Sequence, residues 1–457
     1  MFDQLSPFLL FDLPIELVDR VIDYVDEKRD VLALALTCRY FNTLLIPDHL
    51  RYRKILMDLC RLEAVENVIA RPALGRSIRI LLIRPRVSGR RREPLDRFCC
   101  GSVEASVVAE SRVALALSMM PNLTKFEWDM YHEPETRDLL WEILIASCPR
   151  LCDLKVHILP GFIHHSENTL YRSKLFDLRH LTTIHLDITT PHWGDSAIPV
   201  HHIRRFLLGS PGLTSLHIAF NSLVPFDTIF SDASWCHLER LFLRTVSCHP
   251  TIFDSFLTRH PTIHHIHLSS INESNESWTQ GPQYLSLQSG ALPNLLHLRI
   301  DRRERACRID DFLQHACWLK IQSISFHRLS CVSDTFTTFL HRHPSLEELS
   351  YAECHAIDNP HGILKDLLPG ALPKLRKFTG DDFDYIQVCM AGCPLQEMCL
   401  NPEELESDRT EEAFRRVAHT LRYIDFTSEV GEEIGKRLER NVPELKPLRL
   451  FEPSWPY

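Results

Sequence analysis

The stretch 213–243, LTSLHIAFNSLVPFDTIFSDASWCHLERLFL, opens and closes on the same unit. An apolar residue is followed by two variable ones, an apolar residue, one variable residue and another apolar residue. In LTSLHI (213–218) and LERLFL (238–243) the last two apolar positions stand two apart, the spacing that puts side chains on one face of a β-strand. The unit recurs from Leu123 (LTKFEW), Leu151 (LCDLKV), Leu181 (LTTIHL), Ile263 (IHHIHL), Leu295 (LLHLRI), Ile321 (IQSISF), Leu346 (LEELSY), Leu375 (LRKFTG), Leu395 (LQEMCL), Leu421 (LRYIDF) and Leu445 (LKPLRL). The intervals run from 20 to 32 residues, and a proline often stands two residues before the unit. Between units lie amphipathic helical segments such as LLWEILIAS, HIRRFLLGS, IFDSFLTRH, DDFLQHACW, TFTTFLHRH, YIQVCMAG and EEAFRRVAH. Each repeat therefore reads as a short strand, a turn and a helix returning on the outside. Parallel strands lie about 4.8 Å apart and helices are about 10 Å across, so such a stack is expected to bend with its helices outside.

This pattern resembles the leucine-rich-repeat family over residues 119–457. The asparagine that family places a few residues after its strand stands clearly only at Asn221, with Cys354 in the equivalent place of another repeat, and LRKFTG lacks its last apolar residue.

Ahead of the repeats, Leu13 to Leu50 reads LPIELVDRVIDYVDEKRDVLALALTCRYFNTLLIPDHL. Pro14 suits a first helical position and Glu16 an acid-favoured first turn. Leu17, Val18, Val21, Ile22 and Val25 recur on one helical face. A charged break at Asp26–Asp30 precedes an apolar second helix over Val31–Cys38 and a third over Arg39–Leu45. About forty residues cannot bury a self-sufficient core, and the excess apolar surface predicts a covering partner or neighbouring domain. These three helices resemble an F-box. The resemblance implies docking on the Skp adaptor of cullin-RING ubiquitin ligases, with Leu13, Pro14, Leu17, Val21, Leu32, Leu34, Cys38 and Phe41 forming the docking face or its support.

The expected fold class is accordingly α/β: a short three-helix F-box followed by a curved leucine-rich-repeat solenoid, parallel strands on the concave side and helices on the convex side. The expected divisions are a tail at 1–10, the F-box at 11–50, a stretch from 51 to 118 leading into the solenoid, and repeats from 119 to 457. Within 51–118, Arg51–Ala70 reads as a helical linker, with Tyr52, Ile55, Leu56, Leu59 and Leu62 on an apolar stripe. Ser77–Ile83 reads as a first strand, Arg84–Arg97 as a basic loop and Val103–Met119 as a helix. The basic loop fits a solvated turn, a nuclear-localisation signal or a phosphate-binding segment.

The residues around the last two apolar positions of each unit are free of the packing between strand and helix, and are the candidates for binding. In the central repeats these are His185, His217, Arg240, Phe242, Arg244, His265, His267, His297, Arg299 and His327. Acid gathers at both ends: Glu127, Asp129 and Asp153, then Glu348, Asp381, Glu397 and Asp425. The groove is expected to bind a protein substrate through an acidic or phosphorylated segment, with Arg240, Arg244 and Arg299 as bidentate anchors. Ordinary drift in composition at exposed strand positions is the plainer account. Histidines that titrate near 6.5 would strengthen such binding as pH falls. His265, His267 and His297 lack a carboxylate or cysteine at a metal-site spacing, so neither a metal nor a cofactor is expected.

Composition narrows the class further. A chain of 457 residues with 44% hydrophobic and 24% charged residues has the composition of a globular protein, and its net charge of −9 argues against a general nucleic-acid binder. No apolar run approaches the twenty or so residues of a membrane span. Fifteen scattered cysteines, none in a Cys-x-x-Cys pair, suit a reducing cytoplasmic or nuclear setting, and Cys99 and Cys100 fit buried or loop thiols better than a nucleophile. Walker, nucleophile-elbow, zincin and Rossmann signatures are missing. The two resemblances together imply a non-enzymatic substrate receptor of a Skp/cullin/F-box ligase. Alternatives are a repeat scaffold with no ligase link and a GTPase-activating regulator, because a repeat array hosts many functions.

Overall fold

The structure is a computed structural model that describes residues 13–14, 17–18, 21–22, 24–25, 27–46, 50, 52–84, 103–130, 138–158, 173–188, 200–270, 287, 292–302, 306–359, 362–365, 367–380, 384–400, 408–426, 440, 442 and 449–450. The expected tail, the basic loop beyond Arg84, Cys99, Cys100, Asp381 and most of the acidic runs 403–408 and 429–433 lie outside them. The chain divides into two compact units, 1–213 and 214–457.

In the first unit the backbone N–H groups of Leu17 and Val18 donate to the Pro14 carbonyl, opening a helical turn at the expected place. Helices Lys28–Thr37 and Arg39–Leu45 follow, separated by an extended Cys38. Val18, Ile22, Val31, Ala35, Phe41, Leu45 and Leu50 form one small core. The expected helical linker is corrected next. Lys54–Met57 is a strand, β1, in which Ile55 and Met57 are buried while Lys54 and Leu56 are exposed, and the sustained helix begins at Glu63, running to Ala70. Four residues of alternation are too short to outweigh a helical reading locally. The pairing partner β2 (Ile80–Ile83), which aligns Lys54 with Ile80 and Met57 with Ile83, decides the matter. The strand expected over Ser77–Ile83 is β2, and parallel pairing begins one strand before it, at Lys54. It continues through β3 (Lys125–Met130), β4 (Asp153–Ile158) and β5 (Thr183–Ile188) in chain order. The helix expected over 103–119 runs Val103–Leu117.

The second unit repeats the theme. Its main parallel strands, neighbours in chain order, are β6 (Ser215–Pro225), β7 (Arg240–Ser247), β8 (His265–Ser269), β9 (His297–Asp301), β11 (Ser323–His327), β13 (Glu348–Ala352), β15 (Lys377–Thr379), β16 (Glu397–Leu400), β17 (Tyr423–Phe426) and β18 (Arg449–Leu450). Every one of the repeated sequence units thus forms a strand, the irregular one at Leu375 included. Three very short strands, β10 (Cys307–Arg308), β12 (Leu329–Cys331) and β14 (His355–Ala356), make a second parallel sheet that the periodicity did not announce.

In both units one sheet face is buried under helices and the other is open. Phe126 of β3 meets Trp141 of the helix Leu139–Ser147 edge-on, with ring centroids 6.1 Å apart. Phe326 of β11 likewise packs on Phe336 and Phe339 of the helix Ser333–His341. Strand residues on that face are almost fully buried, so each large-to-small change there is expected to cost about 2–5 kcal/mol. This is the strand-and-helix arrangement of a leucine-rich-repeat solenoid.

Two local devices hold the repeats of the second unit together. Arg-His-Pro occurs at 259–261 and at 342–344. His260 Nε2 accepts the Trp235 backbone N–H at 2.9 Å, so the ring proton sits on Nδ1 and is donated to the Phe256 carbonyl at 2.6 Å. His343 does the same between the Trp318 N–H (3.1 Å) and the Phe339 carbonyl (2.7 Å). Arg259 and Arg342 donate to carbonyls of the preceding helix, Phe230 and Ser231 in one case and Leu313 and Gln314 in the other. The second device is in the backbone. Thr245, Ser270, Arg328 and Glu353 all take positive φ, between 52° and 57°, and each lies five residues beyond its strand's first residue. Left-handed backbone at non-glycine residues is uncommon, and it recurs here at one repeat position, just past the strand in β8, β11 and β13 and within the longer β7. Cys354, one residue later, is buried, with its thiol at 3.5 and 3.7 Å from the carbonyls of Ala352 and Phe326. It occupies the place expected of the repeat asparagine and serves as a weaker donor there.

Candidate functional site

The N-terminal helices sort their apolar residues onto two sides. Val18 and Ile22 are buried, whereas Leu17 (44% exposed) and Val21 face outward. On the helix Lys28–Thr37, Val31 and Ala35 are buried while Leu32 (43%) and Leu36 (70%) are exposed one turn apart. Tyr24, Tyr40 and Ile46 are also exposed. Of the expected docking residues, Pro14, Leu17, Val21 and Leu32 therefore lie in the open. Leu13, Leu34 and Cys38 pack partly buried against the small core, and Phe41 is inside it as support. Leu36 was legible as the residue four beyond Leu32, but Tyr24, Tyr40 and Ile46 carried no periodic signal. Buried Arg53 anchors the module by donating to the carbonyls of Ile22 and Val25, where the first helix ends and its dipole is negative. The Arg150 guanidinium lies 5.7 Å from the centre of the Tyr24 ring.

On the open face of the first unit's sheet, charges of opposite sign are set against each other across strands. Lys125 Nζ is 2.6 Å from Asp153. Glu127, whose side chain is 2% exposed, takes Arg84 Nε at 2.7 Å and Lys155 Nζ at 3.1 Å. Burial alone would raise the Glu127 carboxyl, but those two hydrogen bonds outweigh it and hold it below the usual range. His157 sits between Asp129, 2.8 Å from Nδ1, and Asp187, 3.5 Å from Nε2. The hydrogen bond from His157 holds Asp129 low. His185 belongs to this unit, beside Lys155, and burial together with Lys155 and His157 pushes it down to about 4. The acid expected at this end is thus internally neutralised. Its partners come from strands some thirty residues away, which no local pattern identifies.

The remaining expected binding residues all come together on the open face of the second unit's sheet. Register places Arg240, His265 and His297 in one row across β7, β8 and β9. His217, Phe242, His267 and Arg299 form the next row, and Arg244, Ser269, Asp301 and His327 the third. His217 stacks on Phe242 with centroids 3.6 Å apart, and Phe242 meets His267 edge-on at 4.1 Å. His265 and His297 lie 4.0 Å apart, centre to centre.

Two expectations need correction. Arg299 is not a free anchor: its Nε donates to Asp301 at 2.9 and 3.1 Å, and Asp301 also takes His267 Nε2 at 2.7 Å. Three of the imidazoles are also held below their ordinary range. Burial, then the neighbouring His297, His264 and Arg240, push His265 down to about 4, and burial also lowers His267 and His297. At neutral pH the positive charge of the row Arg240, His265 and His297 resides in its arginine. Arg240 is exposed and makes no ion pair among the described residues. Toward the far end, Glu348 accepts from the Ser323 hydroxyl at 3.1 Å and Glu397 is 3.3 Å from Lys377. Among the described residues no group of three or more histidine, cysteine, aspartate or glutamate side chains could hold a metal ion, and no helix is long and apolar enough to cross a membrane.

No family model matches the chain, and no curated protein matches it. Among solved structures it is similar to the Rad7 and Elc1 complex of yeast at 13% identity, with 94% of this chain and 88% of that chain covered and a TM-score of 0.36. It is also similar to a leucine-rich-repeat protein of Leptospira interrogans at 10% identity, with 87% and 100% covered and a TM-score of 0.34. Superpositions this loose leave the architecture resting on the strand register and burial described above.

Proposed function

We propose that this chain is the substrate-recognition subunit of a Skp/cullin/F-box ubiquitin ligase, working in the cytoplasm or nucleus. The carrying observation is the apolar side of the N-terminal helices: Leu17, Val21, Leu32 and Leu36 remain exposed although a packed core lies directly beneath them. Each such side chain gains about 1.5–3 kcal/mol when fully buried, so a helical adaptor covering several of them would bind firmly. The second unit's open face would then receive the substrate. The mechanism is positional, in that the chain breaks no bond itself but holds a target lysine close to activated ubiquitin and raises its effective concentration.

The test is co-purification of the full chain with the Skp adaptor, comparing wild type with Leu17→Asp/Leu32→Asp. Both positions are exposed, so the fold and its helical signal are expected to survive. A stoichiometric wild-type complex that the double variant loses, by about 100-fold or more in affinity, supports the reading. A folded wild type that never binds the adaptor favours the other reading, a repeat scaffold whose N-terminal helices serve only to pack against Arg53 and its surroundings.

A further inference from the structure

The helices that cover the first unit's sheet differ on their outer side from those of the second. In the second unit the helix Pro250–Arg259 shows Thr251, Ser255, Thr258 and Arg259 to solvent, and Ser333–His341 shows Asp334 and Thr338. In the first, the helix Val103–Leu117 exposes Val108 (60%) and Leu115, two turns apart on one face, and the helix Leu139–Ser147 exposes Leu139 and Ile145. Among the described residues, Met390 is the only other large apolar side chain exposed on a helix that covers a sheet.

The two helices adjoin. Cys148, just past the later one, directs its thiol at the Leu117 carbonyl that ends the earlier one, 3.8 Å away. Ala105 and Ala146 are exposed on the same helices and add little bulk, so a third helix can approach closely.

Charge on this face is one-sided. The helix Glu63–Ala70 packs on the other flank of Val103–Leu117, where Glu66 grips the Arg112 guanidinium through Nε at 2.7 Å and through Nη2. The three helices thus carry Glu63, Glu66, Glu104 and Glu142 outside their core against Arg112 alone, and Arg112 is spent on Glu66. Glu63 and Glu142 are exposed and make no ion pair among the described residues.

We propose that this face docks an amphipathic helix of a partner protein whose apolar side is flanked by lysine or arginine. The inference goes beyond adaptor and substrate binding, since it uses neither the N-terminal helices nor the open sheet faces. Val108 to Leu115 and Leu139 to Ile145 each present about 10 Å of apolar length, which matches anchors at i, i+3 or i+4, and i+7 of a helix laid along them. The glutamates then meet the flanking cations, and they disfavour an acidic helix with the same apolar side. Four partly exposed side chains make a small patch, so the complex is expected to be reversible, with a Kd of about 10 µM.

Fluorescence anisotropy on the full chain tests the face with three helical peptides of about 18 residues, five turns. One carries a leucine stripe with lysine flanks, one the same stripe with glutamate flanks, and one lysine flanks with serine in place of leucine. The first is expected to bind, and the other two at least about tenfold more weakly. Val108→Ser/Leu115→Ser is expected to weaken the first peptide about tenfold, and Glu63→Gln/Glu142→Gln about threefold to fivefold, the latter effect fading as salt rises from about 0.05 to about 0.5 M. All four positions are exposed, so the thermal midpoint should stay near that of wild type. Leu17→Asp/Leu32→Asp should leave the affinity unchanged. Absence of binding, equal binding of the glutamate-flanked peptide, or indifference to Val108→Ser/Leu115→Ser each overturns the proposal. Loss of binding in Leu17→Asp/Leu32→Asp would put the site on the N-terminal helices and overturn it as well. A wild-type dimer in sedimentation that Val108→Ser/Leu115→Ser dissolves would make a second copy the occupant in place of a partner helix. None of these measurements involves the adaptor, so failure of the ligase reading shows only in co-purification and failure of this docking face only here.

Discussion

The open sheet faces of the two units use the same strand positions to opposite ends. In the first, Lys125 faces Asp153, Glu127 lies between Arg84 and Lys155, and His157 lies between two aspartates, so neighbouring strands alternate in sign and neutralise each other. In the second, Lys377 meets Glu397 and Asp301 takes His267 and Arg299, but Arg240, His265 and His297 stand side by side with no alternation. A face whose charges are spent on one another contributes to stability and has little left for a ligand. A face of like or neutral neighbours is held with its cationic potential unspent. The difference teaches that charge composition along a repeat array says less than the order in which signs meet across strands.

The comparison breaks most readily at Glu127. Glu127→Gln leaves Arg84 and Lys155 facing a neutral group in a nearly closed position, and a loss of about 2 kcal/mol in unfolding free energy is expected by denaturant titration. A change within about 0.5 kcal/mol would mean the lattice is decorative.

Acid separates the faces by a smaller amount. Imidazoles held below their ordinary range bind fewer protons folded than unfolded, so the stability they confer is whole above about pH 6.5 and is lost as pH falls through their folded values. In the second unit these are His260, His265, His267, His297 and His343; in the first, only His185 and His202 among the described residues. Glu127 and Asp129 of the first unit, held low as carboxylates, keep their contribution until pH falls below about 4. Hydrogen exchange compared at about pH 7.5 and about pH 5 is expected to show protection falling more in residues 214–457 than in 1–213, after correction for the intrinsic rate. Equal loss in both would remove the distinction.

The smallest effect expected is that of Arg240→Gln on stability, within about 0.5 kcal/mol by thermal unfolding, since this exposed cation makes no ion pair among the described residues. A larger loss would show that Arg240 is spent structurally like Lys155.

The fold was largely legible in the order of residues. Two-residue alternation nested in an interval of 20 to 32 residues located the strands from β3 onward except the short β10, β12 and β14. The apolar residues of Leu17 to Phe41 located the N-terminal helices, although Leu17 and Val21, read on one face with Val18 and Ile22, lie exposed while those two are buried. These features are local, set by the pleat of a strand and the turn of a helix, and so they can be read within a few residues. The candidate face on β6 to β11 was legible for the same reason, since side-chain direction follows from alternation. The charge state of that face and its available partners were not. The strand at Lys54–Met57, the engagement of His267 by Asp301, the lowered His265 and the sealed Glu127 all depend on which residue of the next strand, some twenty-five to forty positions away, lies opposite. Register across strands and the loss of water around buried groups come into being only when the repeats stack, and tertiary structure alone decided them.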